Sequence, residues 1–374
     1  MVRSQGRPPD PVSVLRGHRA SVTALAFHDS SLLVSGDSDG ELKLWDMVKR
    51  RPHISARVQT PASGVIGIGA GKTLGNKILS QGRDGTLKVW ELAEGRLSRE
   101  PLLIIDTEAY HFCKLSICRP ASCATDSSAS EMIDASTDSS DDNNGEIGSL
   151  SNVERKNYVA LAGKDPSMVD VWDIDAGNLA MQFGRDTSVE LLPHKKASGM
   201  CMALQAFNQI NGEGFLHVVA GYEDGSLAMW DARNPKIPCL TTCLHQEPVL
   251  SIALDGPCQG GVSGSADERL ILFSLDYQQN SFQMRKEVAL GNPGTADISI
   301  RKDDKIVATA GWDCRVRIYD YRRSRALAKL KYHSDLVNSV CFSDDCKLLT
   351  SASKDGTIAL WSIYPPQEDL SISA

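Results

Sequence analysis

The chain has 374 residues, 41% of them hydrophobic, enough for one large or two ordinary domains around a buried core. Its net charge of −7 resides in one segment: residues 120–153 hold Asp126, Glu131, Asp134, Asp138, Asp141, Asp142 and Glu146 and no Lys or Arg. The remainder is close to neutral, so neither part presents the basic field that nucleic acid or an anionic lipid surface demands.

Residues 1–10, "MVRSQGRPPD", lack the apolar stretch of a signal peptide and read as a flexible terminus. "PVSVL" follows as a short strand, and then "LLVSGDSDGELKLWD", which alternates, turns at Asp39-Gly40 and ends at Trp45-Asp46. The next stretch, "GVIGIGAGKTLG", contains Gly-Lys-Thr and invites comparison with a phosphate-binding loop. Such a loop needs a glycine at position 66 and a helix after the Thr. Ile66 stands there, and "NKILSQGRDGTLKVW" alternates like a hairpin instead. "GVIGIG" therefore reads as a strand, "AGKTLGN" as a turn and "KILSQG" as the returning strand.

The phrase that closes at Trp45 comes back six more times, ending at Trp90, Trp172, Trp230, Phe273, Tyr319 and Trp361. Most copies stand 42 to 46 residues apart, the length of one four-stranded propeller blade. Trp90 and Trp172 are 82 apart, which raises the question of an eighth blade. The sequence between them, "SSASEMIDASTDSSDDNNGE", has no aromatic residue and too little apolar surface to order itself. Residues 119–153 are expected to be a disordered acidic insert in blade three. After Trp361, Pro365-Pro366 ends regular pairing before a fourth strand forms. Residues 11–16 are then expected to supply the outer strand of blade seven and close the ring. The expectation is an all-β, seven-bladed propeller over residues 11–366, with 367–374 a flexible end. No apolar run approaches the ~20 residues of a membrane helix. The ten cysteines are scattered without a C-x-x-C pair, and Cys239, Cys243 and His245 lack the second half of a metal site. The chain reads as intracellular, with no metal, no cofactor and no membrane insertion.

In this repeat a His before the first strand, a Ser or Thr in the second, a turn Asp and an aromatic in the third can join in one buried hydrogen-bond chain. His18, Ser35, Asp39 and Trp45 make one complete set; His333, Ser351, Asp355 and Trp361 make another. His245, Ser263 and Asp267 lead to Phe273, which cannot donate. Blade two offers Ser80, Asp84 and Trp90 with Thr60 or Pro61 where the His belongs. Blade six offers Thr309 and Asp313, and blade four offers Asp224 and Trp230. Ala162 and Ala220 replace the hydroxyl in blades three and four. A hydrolase triad is needed once, whereas this constellation recurs, so it reads as structure and the chain as no enzyme.

These residues carry the signature of the WD-repeat family. "SQGRDGTLKVWEL", "AYHFCKLS", "GFLHVVAGYEDGSLAMWDARN" and "TAGWDCRVRIYDYR" further resemble a branch of it. That branch groups plant Decreased Size Exclusion Limit 1 with animal G-protein β-subunit-like 1 and fungal ASTRA-associated 1 proteins. The resemblance implies a non-enzymatic scaffold of cytoplasm and nucleus, a monomeric propeller within a larger complex. For plant members it implies a role in development and in cell-to-cell transport through plasmodesmata. For animal and fungal members it implies assembly of phosphatidylinositol-3-kinase-like kinases.

Partners are expected to be other proteins, docked on the face that bears the Asp turns. Arg83, Tyr222, Glu223, Trp312 and Lys354 are large or charged where turn geometry asks only for small polar residues. A second reading makes the chain a substrate receptor of a cullin-type ubiquitin ligase. Two segments end W/Y-D-x-R, and Arg233 and Arg322 would anchor the adaptor. A G-protein β subunit proper is disfavoured, because only about ten residues precede the first strand and those proteins carry a long N-terminal helix there.

Overall fold

The computed structural model describes residues 9–119, 156–184, 199–208, 215–277 and 281–364. Of the expected flexible ends and acidic insert, residues 1–8, 120–153 and 367–374 lie outside the described residues. Those that are described form seven antiparallel sheets in chain order, one per repeat. The expected propeller is observed.

Blade one runs Val22–Asp29, Leu32–Asp37, Glu41–Asp46 and Arg51–Arg57, and the later blades repeat that meander. Second strands such as Gly260–Ser265 and Ile306–Gly311 are buried at every position, and the others at all but their first residue at most, because a neighbouring blade covers each face. Such strands need small residues on the crowded side. A Cβ on Gly36 would lie 2.4 Å from the side chain of Val65 in the next blade, and one on Gly221 would lie 2.6 Å from Val249. The recurring small residue after the Ser is thus dictated by blade-to-blade packing.

The core accordingly sits between blades. Val34, Leu42 and Leu44 of blade one pack with Val65, Ile78 and Trp90 of blade two. At the seam, Leu15, Leu25 and Trp45 pack with Ile358 and Leu360. Ser13–Arg16 pairs antiparallel with Thr357–Trp361, Ser13 opposite Leu360 and Arg16 opposite Thr357. The N-terminal strand closes the ring and removes the open sheet edge.

In blade two, Val65–Gly69 and Lys77–Gly82 flank a single 3-10 turn at Lys72–Leu74. Leu74 is buried beneath that turn while Lys72 and Thr73 face solvent, so Gly-Lys-Thr is hairpin connection. Blade three has the shortest first strand, Ser116–Ile117, and its second strand resumes at Tyr158.

Candidate protein-docking face

Most turns between second and third strands are tied to their blade by buried polar side chains. In blade one Trp45 Nε1 donates to Ser35 Oγ at 2.7 Å, and the Ser35 hydroxyl meets His18 Nε2 at 2.6 Å. His18 Nδ1 donates to Asp37 Oδ2 at 2.7 Å. Asp37 Oδ1 also accepts the amides of Asp39 and Glu41, both at 3.0 Å. The acid of this set is therefore Asp37; Asp39, assigned from its place before the turn glycine, is exposed. Burial pushes the Asp37 carboxyl up, but the bond from His18, the two amides and the nearby imidazole outweigh it and hold the acid below its ordinary range.

Blade seven matches expectation. His333 lies 3.2 Å from Asp355 and 2.8 Å from Ser351, and Trp361 donates to Ser351 at 3.0 Å. In blade five His245 lies 3.0 Å from Asp267 and 2.9 Å from Ser263, and Phe273 ends the chain of bonds. Burial lowers the basicity of both imidazoles, with the facing carboxylate pulling the other way.

The other four blades improvise. In blade two neither Thr60 nor Pro61 takes the His position. Gln59 does, donating to the Ser80 carbonyl at 3.0 Å and lying 3.1 Å from the Thr86 hydroxyl, which is also 2.8 Å from Asp84 and can donate to either. Trp90 donates to Ser80 at 2.9 Å as expected. In blade four the Tyr222 hydroxyl receives Trp230 Nε1 at 3.3 Å, replacing the hydroxyl that Ala220 lacks. Tyr222 is 3% exposed, so it belongs to this network and not to a docking surface. Asp224 holds the Ser226 amide at 2.9 Å. In blade six Asp313 is gripped by both terminal nitrogens of Arg317, at 2.9 and 2.7 Å, and by Asn292 at 3.1 Å, while Thr309 is buried in the strand.

Among the described residues blade three has no such chain. Six residues separate the paired Ala162 and Val169, against five between Gly36 and Leu42. The longer hairpin shifts the register, so Leu161, and not Ala162, stands where other blades place the hydroxyl. Trp172 Nε1 is buried without a hydrogen-bond partner.

The remaining candidates lie on the turn face as expected. Glu223 is exposed and its carboxylate accepts the Met200 amide at 3.3 Å. Lys354 is exposed, 3.9 Å from Asp335. Arg83 and Trp312 line the mouth of the central channel, a cavity of about 500 Å³. Trp312 is 41% exposed, with its inner face against Gly294. On the opposite face Arg233 is engaged: it makes bonds of 2.6 and 2.9 Å to Asp231, and its guanidinium lies 5.0 Å from the Phe215 ring. Arg322 is exposed on that side.

Sequence reasoning missed the residues that join these into one site. Tyr110 and Phe112, 60% and 51% exposed, stand with ring centroids 5.2 Å apart, and Phe112 lines the same mouth as Arg83 and Trp312. Their alternation with buried His111 and Cys113 was the available signal. Beneath them Lys114 Nζ lies 2.9 Å from Asp297 across the channel and 3.1 Å from the Asn338 carbonyl. Asp297 also accepts Ser339 Oγ at 2.7 Å and the Val340 amide at 3.1 Å, so blades three, six and seven meet at one ion pair.

Two groups bring metal-ligating residue types near one another in space or sequence. His18, Asp37 and Glu41 bring donor atoms within 4.8 Å of one another, but His18 and Asp37 bond each other and Glu41 holds Lys43 at 2.8 Å. Cys239 donates to the Met229 carbonyl at 3.2 Å and Cys243 to that of His245 at 3.3 Å. Burial pushes the Cys239 thiol up to about 11, so the group favours the protonated form over the thiolate a metal needs.

A closed ring of seven antiparallel sheets, six of four strands and blade two of five, with a turn Asp and a third-strand aromatic in most copies, defines a WD-repeat propeller. The family model "WD domain, G-beta repeat" matches residues 9–46, 293–320 and 324–362. Among curated relatives, the mouse guanine nucleotide-binding protein subunit beta-like protein 1 is 35% identical over 368 residues, covering 96% of this chain and 97% of its own. ASTRA-associated protein 1 of Aspergillus niger is 29% identical, covering 90% of this chain and 81% of its own. The Schizosaccharomyces pombe protein of that name is 26% identical, with coverage of 95% and 99%. The chain belongs to the WD-repeat family that contains these proteins.

Proposed function

We propose that this chain is a non-enzymatic scaffold that docks other proteins on its turn face, around the channel mouth, within a larger complex of cytoplasm and nucleus. The observation that carries the reading is Trp312, a large aromatic held on a rigid turn with one face toward solvent. The similarity to ASTRA-associated proteins along nearly the whole chain supports a place in the assembly of phosphatidylinositol-3-kinase-like kinases. The resemblance of several motifs to plant Decreased Size Exclusion Limit 1 is the ground for extending the proposal to development and transport through plasmodesmata.

The test is recovery of partners from native tissue by wild-type and Trp312→Ala protein, with mass spectrometry of what co-purifies. Kinase-assembly factors recovered by the wild type and depleted by the variant are the expected result. Equal recovery by both proteins removes this face as the docking site. The ligase-receptor reading is weakened by the engagement of Arg233 with Asp231 and Phe215. It keeps exposed Arg322, and co-purification of a cullin adaptor that is lost in Arg322→Ala would restore it.

A further inference from the structure

The channel mouth has a definite chemistry. Among the described residues three charged side chains line it: Arg83, Lys114 and Asp297. Lys114 and Asp297 neutralise each other. Arg83 is exposed, and among the described residues its guanidinium has no carboxylate partner. The neighbouring Asp84 carboxylate is occupied by Ser63 and by Thr86. Among the described residues the mouth therefore carries one unmet positive charge.

Around that charge stand unmet aromatic surfaces on fixed mounts. Trp312 lies on the backbone of Gly294, where a Cβ would come within 2.1 Å of the indole, so the loop admits no larger residue and the ring is braced. Phe112 and Tyr110 pack against each other, and between and after them His111 and Cys113 anchor the segment in the core. Aromatic and guanidinium groups braced in this way lose little side-chain entropy on binding.

We infer that the mouth receives an extended peptide segment of a partner protein in which a carboxylate neighbours a bulky apolar side chain. The carboxylate pairs with Arg83, whose planar fork suits bidentate recognition. The apolar side chain enters between Phe112 and Trp312, over the ion pair that floors the cavity. One unpaired cation, with the second already neutralised, is too little charge for a nucleic-acid backbone. The inference rests on the turn face being the docking surface, and it adds the class of ligand.

The probe is a short fluorescein-labelled synthetic peptide with a central Phe flanked by Glu residues. Two counterparts accompany it, one with Lys for every Glu and one with Ala for the Phe. Fluorescence polarisation against the full chain reads affinity, and melting temperature checks the fold of each variant. The Glu–Phe peptide is expected to bind, and to weaken as salt rises from about 50 to about 500 mM. Both counterparts are expected to bind at least about tenfold more weakly. Arg83→Glu and Phe112→Ala should each weaken the Glu–Phe peptide by about tenfold or more, while Arg99→Glu, on the outer edge of blade two, leaves it unchanged. Failure of the Glu–Phe peptide to bind overturns the inference. So does binding of the Lys peptide as tight as that of the Glu peptide, or affinity unaltered in both mouth variants. If the peptide fails while Trp312→Ala still depletes native partners, the ligand class is wrong and the docking face stands. If the peptide binds as expected while native recovery is unchanged, the mouth has the stated chemistry but does not serve as the scaffold's docking site.

Discussion

Asp37 and Asp39 lie two residues apart in "GDSDG", and the structure assigns them opposite importance. Asp37 is 1% exposed; its carboxylate takes His18 Nδ1 at 2.7 Å and two amides at 3.0 Å. Asp37→Ala removes these bonds at once and leaves a buried imidazole N–H without its acceptor. Leaving a buried polar group unsatisfied typically costs about 1–3 kcal/mol, and here the imidazole and two amides lose their acceptor together. The disturbance also reaches Ser35 and Trp45 through His18. Asp39 is exposed, so Asp39→Ala should stay within about 0.5 kcal/mol of wild type. Thermal unfolding followed by circular dichroism separates the two: Asp37→Ala should melt at least about 5 °C lower, and Asp39→Ala within about 1 °C. Acid adds an independent check. The folded Asp37 titrates below its unfolded value of 3.8, so its stabilisation is present above that value and is lost as pH falls through the folded one. Asp37→Asn should flatten this acid limb. A protein in which Asp39→Ala melts as low as Asp37→Ala would refute the assignment.

Deleting residues 1–16 removes the strand paired with Thr357–Trp361 and the buried Leu15, and should cause aggregation or a loss of more than about 10 °C in melting temperature. Removing residues 368–374 should leave the melting temperature unchanged; a deletion of 1–16 that is equally silent refutes ring closure by this strand. Burial holds His111, His217, His245 and His333 below the imidazole value of 6.5, so the unfolded chain takes up protons first. Melting temperature should therefore decline as pH falls from 7 to about 5, and a flat profile across that window contradicts it. Trp172→Phe deletes a buried N–H that has no partner and should be neutral or stabilising, whereas Trp45→Phe leaves Ser35 short of a donor and should cost about 1–2 kcal/mol; chemical denaturation of both variants decides.

What the sequence made legible was whatever is encoded locally. The seven aromatics, the turn aspartates and the alternating hairpins each depend on a few adjacent residues, and all fell where the blades are. The errors arose where a role depends on reach across strands. Asp37 stands where blades five and seven place Ser265 and Ser353, whose hydroxyls take the amides of Asp267 and Asp355 at 3.1 Å. In blade one a single carboxylate does that and also meets the imidazole. Gln59 substitutes for a His because an amide offers a donor and an acceptor at similar reach, an equivalence that residue type hides. A spacing of ten back from Trp172 points to Ala162, but this hairpin is one residue longer and puts Leu161 in that place. Tyr222 was read as surface because only the structure shows its hydroxyl turned back to Trp230. Tyr110 and Phe112 went unnoticed because period-two alternation was read only where strands were expected.

Blade three shows why these departures are tolerated. It lacks the internal bond chain, its first strand is two residues long, and its tryptophan is left unpaired. Its stability therefore has to come from its neighbours. His111 accepts from Gln81 of blade two at 2.9 Å and donates to the Ala162 carbonyl at 3.0 Å. Lys114 reaches blades six and seven, and Arg119 reaches Gln205 of blade four at 3.1 Å and the Leu254 carbonyl of blade five at 2.9 Å. A closed ring allows this exchange, because each blade is held on both sides and across the channel, so one weak sheet does not fray. The ties have a further consequence for binding. His111 and Lys114 bracket Phe112, so the contacts that compensate for the weak sheet also fix the aromatic rim above the channel. The blade with the poorest internal bonding thus carries a firmly mounted part of the candidate docking face.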